Sequence, residues 1–170
     1  MSQSLISINL NGMKSTTEQV PTVRNVKPIN FLFYRTETTV AELNKFIWVA
    51  SELFQEAVTN KLTITGPIHW HYLGFMGDTS KPFTLEISLP VDEVLPDYDG
   101  KFHFKRTEEF KCVSILHEGS WYEIPSSYTK LMKFLQKESL QPVAVNREIY
   151  VNADFNFPEA NSTEIQVGIA

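Results

Sequence analysis

Carboxylates set among aromatic rings are the residues in this chain best suited to chemistry. Glu148 stands in Arg147-Glu148-Ile149-Tyr150, Trp70 and Tyr72 in His69-Trp70-His71-Tyr72, and Glu86 and Glu164 in two further alternating runs. Successive side chains of a strand point to opposite faces. In the last run Thr163, Ile165, Val167 and Ile169 share one face, and Glu164, Gln166 and Gly168 the other. Grouping Ile149 and Val151 with the apolar face sends Glu148 and Tyr150 to the opposite one. The expected wall, on the side away from the helices, is Trp70, Tyr72, Tyr150, Glu148, Glu86 and Glu164. Such a concave surface suits a flat or cationic ligand, because ring faces carry partial negative charge and a carboxylate a full one. A wet, exposed sheet face would carry the same residue types. A one-residue slip in register would bring in Arg147 instead of Glu148 and favour anions.

Other candidates are weaker. His69 and His71 share a strand face, but a third metal ligand would have to come from His103, His117 or Cys112, and no spacing fixes it. The repeat described below sends both histidines to the helix side, so neither a metal nor another cofactor is expected. Cys112 alternates with apolar neighbours as a small core residue does. His117, two residues before Gly119, reads as a turn cap rather than a base. The chain has no phosphate-binding glycine loop and no serine-nucleophile elbow.

These residues sit in a chain of 170 residues, 42% hydrophobic and 21% charged, as expected for one globular domain. A net charge of −5 argues against nonspecific binding to nucleic acid or anionic membranes. One cysteine excludes an internal disulfide and fits a reducing, cytoplasmic setting. Leu5, Ile6 and Ile8 lack a basic flank and a long apolar run, so neither a signal peptide nor a membrane span is expected.

The elements that must position the wall follow in order. Residues 1–21 form a polar tail, and one domain covers 22–170. Asn30–Glu37 reads as a strand. Thr39 with Glu42 makes a capping box, and Leu43, Ile47, Ala50, Phe54 and Ala57 give the next helix an apolar face. Strands are expected over Leu62–Leu73 and Phe83–Leu89, and an acidic linker over Val91–Gly100. The order then repeats: strand Phe110–His117, a helix to about Ser139, and strands at Pro142–Val151 and Thr163–Ile169. A single offset of 78 lays Leu85–Leu89 on Thr163–Val167, Tyr72 on Tyr150, Leu62 on Leu140 and Leu53 on Leu131. The expected fold is therefore α+β: a tandem β-α-β-β repeat, halves about 28–91 and 108–169. Pseudo-two-fold symmetry would relate the halves, with helices packed on one side of an antiparallel sheet.

The second half also carries a family pattern. His117-Glu118-Gly119, Ile124-Pro125 with Tyr128 and Leu131, Arg147-Glu148-Ile149-Tyr150 and Thr163-Glu164-Ile165 closely resemble the GyrI-like effector-binding domains. The likeness is strong across 110–169 and weaker, through the repeat, across 22–91. It implies the same tandem fold and a ligand cavity with a glutamate, for which Glu148 is the matching position. Asn152-Ala153-Asp154 lacks the family's usual proline, and Trp121 stands where a tyrosine is frequent. With the domain starting near Thr22, no helix-turn-helix is expected ahead of it.

The resemblance implies a stand-alone small-molecule binding protein for aromatic or cationic ligands. Two other functions stay open. Some relatives hydrolyse strained cyclopropanoid compounds, and Glu148 would then be the general base or stabilising carboxylate. Gyrase-inhibitory relatives suggest a protein partner, a topoisomerase, although no exposed anchor motif points to one.

Overall fold

The computed structural model describes residues 19–170, so most of the expected tail 1–21 lies outside the described residues. Eight strands form one antiparallel sheet: β1 (Thr22–Val26), β2 (Asn30–Thr38), β3 (His69–Leu73), β4 (Phe83–Val91), β5 (His103–Arg106), β6 (Phe110–Glu118), β7 (Pro142–Asn152) and β8 (Ser162–Ile169). Their spatial order is β1-β6-β8-β7-β3-β4-β2-β5. Two helices, α1 (Trp48–Thr59) and α2 (Ile124–Lys137), give the order β-α-β-β twice. The α+β architecture with an antiparallel sheet is as expected.

The offset of 78 recurs in local geometry. Trp70 faces Ile87 across β3 and β4, and Glu148 faces Ile165 across β7 and β8. Both helices stop alike. The Leu62 amide donates to the Ala57 carbonyl and the Leu140 amide to the Leu135 carbonyl, each at 2.9 Å. Lys61 and Ser139, just before those leucines, both take a left-handed backbone with φ of 60° and 54°. That conformation ends an α-helix by turning the chain out of its spiral.

Each helix covers one end of the sheet. α1 buries Val49, Leu53 and Ala57 against Leu85, Ile87 and Leu89; α2 buries Leu131 and Leu135 against Val113, Ile115 and Ile165. The first apolar stripe differs from expectation. Residues Val40–Phe46 wind as a 3-10 helix, whose three residues per turn rotate the phase before α1 begins. Ile47 and Phe54 are consequently exposed, and Val49 and Leu53 take the core positions. Thr39 makes no side-chain cap. The strand expected over Leu62–Leu73 is confined to β3, apart from a single bridge between Ile64 and Val91.

Two short edge strands, β1 and β5, were not legible as strands. β1 pairs with β6 and β5 with β2, so each lies beside the first strand of a β-α-β-β unit. They widen the sheet and bring Arg24 and Lys105 towards its helix-free face.

Candidate functional site

Cross-strand neighbours in register share a sheet face. Trp70 lies between Ile87 and Glu148, and Glu148 lies between Trp70 and Ile165. Ile87 and Ile165 belong to the cores beneath α1 and α2. Trp70, Tyr72, Glu148 and Tyr150 therefore face the helices, not the opposite side as the sequence alternation suggested. Glu86, paired with Arg35 and His71, and Glu164, paired with Ile149, lie on the helix-free face. The six expected wall residues are thus split four and two. His69 and His71 also exchange sides: they join Glu86 on the helix-free face.

On the helix side, Glu148 sits at the junction of the two halves, where β3 and β7 pair. It is 6% exposed. The Tyr72 and Tyr150 hydroxyls donate to its Oε2 at 2.9 and 2.7 Å, and the Tyr128 hydroxyl to its Oε1 at 3.0 Å. Each half supplies part of this cage: Tyr72 comes from β3, Tyr150 from β7 and Tyr128 from the second turn of α2. Burial pushes the Glu148 pKa above the usual carboxylate range, and the three hydroxyl bonds only partly oppose it. Burial, reinforced by the Glu148 charge, pushes all three tyrosines well above their usual pKa, so they remain donors.

Rings extend outward from the cage. Trp70 and Trp121 both meet Tyr150 edge to face, at centroid distances of 6.1 and 5.7 Å, and Phe155 packs on Trp121 at 5.1 Å. Tyr128 also lines a groove of about 540 Å³ beside α2, together with Met132, Leu140 and Pro142. Tyr128 was legible from helical spacing with Leu131 and Leu135 as well as from the family pattern, and Trp121 only from the family pattern. The helix register of α2 and the 3-10 turn Trp121–Glu123 aim them at Glu148 and Tyr150. His117 holds that turn in place. Its Nε2–H donates to the Ser120 carbonyl, which can only accept, at 2.9 Å, and its Nδ1 lies 2.9 Å from the Ser127 hydroxyl.

The helix-free face is electrostatically different. Glu86 is fully buried and engaged by Arg35 and Lys105, with His71 Nδ1 at 3.7 Å. Burial pushes its pKa up, but those three partners outweigh burial and hold it at about 2. Burial brings His69 down to about 2 and His71 to about 4, so both are neutral at pH 7. Among the described residues no cluster of three His, Cys, Asp or Glu side chains could hold a metal ion, and no helix is long and apolar enough to cross a membrane.

Residues 19–170 match the family model of the GyrI-like small molecule binding domain. Among solved structures, the chain is similar to the EcmrR C-terminal domain, with a TM-score of 0.75 and 16% identity over 90% of this chain and 98% of that one. It is also similar to SAV2435 bound to tetraphenylphosphonium: TM-score 0.59, 12% identity, 88% of this chain and 93% of that one. A hydrolase from Listeria innocua gives a TM-score of 0.59 and 17% identity over 89% and 92% of the two chains. At these identities the likenesses establish the fold. A search of curated proteins gave no match.

Proposed function

Because this chain belongs to the GyrI-like small molecule binding domain family, we propose that it binds aromatic organic cations, with Glu148 as the charge partner. The observation that carries this is the desolvated carboxylate held by three tyrosine hydroxyls at the centre of an aromatic cluster. A charge with so little water interacts strongly with an incoming cation. Trp70, Trp121 and Tyr150 supply ring surface whose negative faces favour a cation over a neutral molecule of equal shape. Tyr72 and Tyr128 hold the carboxylate in place. Glu86 and Glu164, on the other face, have no part in this site. SAV2435, of like fold, is named as bound to tetraphenylphosphonium, which makes that cation a sensible probe.

Both oxygens of Glu148 accept hydrogen bonds from tyrosine hydroxyls, which fix the carboxylate as a charge partner for a bound cation. The test is a tryptophan-fluorescence titration with tetraphenylphosphonium and with neutral triphenylphosphine oxide. The cation quenches at much lower concentration; equal affinities overturn the proposal.

A further inference from the structure

The sheet face turned away from the helices carries a charge that the other described residues leave unmatched. Arg147 is only 6% exposed, and its side chain forms no ion pair with any described residue. Its Nε and Nη1 are buried without an acceptor. The guanidinium lies over the Phe110 ring, 3.7 Å from the centroid. Gly168 permits that approach: a Cβ there would stand 2.9 Å from the Phe110 ring and 2.7 Å from Val143. A ring face offsets part of the cost of the buried charge. It cannot accept the N–H groups, which point outward in the guanidinium plane.

Two acids that share this face are already engaged. Glu86 is held by Arg35 and Lys105, and Glu164 accepts from Arg24, Ser114 and Gln166. Glu37 and Glu118, the other two acids that strand alternation places on this face, are exposed, and Arg147 forms an ion pair with none of the four among the described residues. Burial lowers the Arg147 pKa only to about 10, so the group stays charged at neutral pH. Arginine does not escape burial by losing its proton, and an unmatched buried cation calls for an acceptor of opposite sign.

The geometry points to a small-anion site on this face, of halide or simple carboxylate size, in which the ion takes the free N–H groups of Arg147. The rival occupant is water. Gln166 faces Arg147 in register and its Oε1 also lacks a partner, so a water could bridge the two. A water would satisfy hydrogen bonds but leave the charge unmatched.

The test compares wild type with Arg147→Met in thermal melts at pH 7. Chloride, nitrate or acetate replaces gluconate, an anion too large for the site, at constant ionic strength. Above its Kd, each tenfold increase of the bound anion raises the wild-type Tm by roughly 3–6 °C, and Arg147→Met shows no such rise. A response equal in both proteins, or none in wild type, overturns the inference. Should Arg147→Met fail to fold, bromide-soaked wild-type crystals decide it. An anomalous peak within hydrogen-bond distance of Nε or Nη1 supports the site, and water or no density there refutes it.

Discussion

Replacing Glu148 by Gln removes the charge of the proposed cation site while keeping its size. The expected magnitude follows from the burial of the carboxylate. At about 5 Å and an effective dielectric near 20, a cation and the carboxylate attract by about 3 kcal/mol, a factor on the order of 100 in affinity. Ring contacts with Trp70, Trp121 and Tyr150 contribute roughly 0.5–2 kcal/mol more for a cation, and these survive the substitution. Wild type should therefore prefer tetraphenylphosphonium to neutral triphenylphosphine oxide by at least 100-fold. Glu148→Gln should cut that preference to about tenfold and shift the neutral compound by less than threefold. The pH dependence has a definite sign. The Glu148 pKa is raised by burial, so the carboxylate is fully ionised only above that raised value. Cation affinity is complete there and declines as pH falls through it. A bound cation draws the pKa down, so binding near that pH releases protons, which calorimetry in buffers of different ionisation enthalpy detects. An unchanged preference in Glu148→Gln would refute the reasoning, as would a neutral compound with the same pH dependence as the cation.

Three further outcomes test the surroundings. Tyr72→Phe, Tyr128→Phe or Tyr150→Phe each deletes one donor to Glu148, raising its pKa further; the loss is about 1.5–3 kcal/mol above that pKa and shrinks below it, as urea melts at several pH values will record. Glu86 has its pKa depressed to about 2, so its contribution is present above the ordinary carboxylate range and is lost as pH falls through about 2. Glu86→Gln should cost ~2 kcal/mol at pH 7, less than for a fully enclosed pair because Arg35 is half exposed, and it should flatten the acid limb of the stability curve. Gly168→Ala forces a Cβ to within 2.9 Å of the Val145 carbonyl oxygen, a backbone atom that cannot step aside; about 1–3 kcal/mol of stability is lost, measurable by chemical denaturation.

The sequence by itself determined the order of the two β-α-β-β units. Gaps in hydrophobic patterning marked β2, β4, β6, β7 and β8 to within two residues. The offset of 78 laid Tyr72 on Tyr150 and Leu62 on Leu140, and the structure adds matching helix-end bonds and hairpin registers at the same spacing. The outer faces of β4 and β8 were legible because alternation there separates Leu85 and Ile165 from Glu86 and Glu164. The family pattern pointed to Glu148. Only the tertiary structure decided on which side of the sheet Glu148 lies. β3 and β7 lie in the middle of the sheet, and both their faces are covered. His71, Arg147, Glu148 and Ile149 are all buried, so polarity no longer tells inside from outside. Ile149 looked like a core residue facing a helix, yet it packs on the opposite face. What fixes the face is registry with neighbouring strands 17 residues away from Trp70 and from Glu148 in sequence, Ile87 and Ile165. Hydrogen-bonded pairing sets that registry globally, and no local run of residues encodes it. The same pairing brings Tyr72 of one half and Tyr128 and Tyr150 of the other onto a single carboxylate. It also leaves the adjacent Arg147 buried on the reverse side, with its charge unanswered.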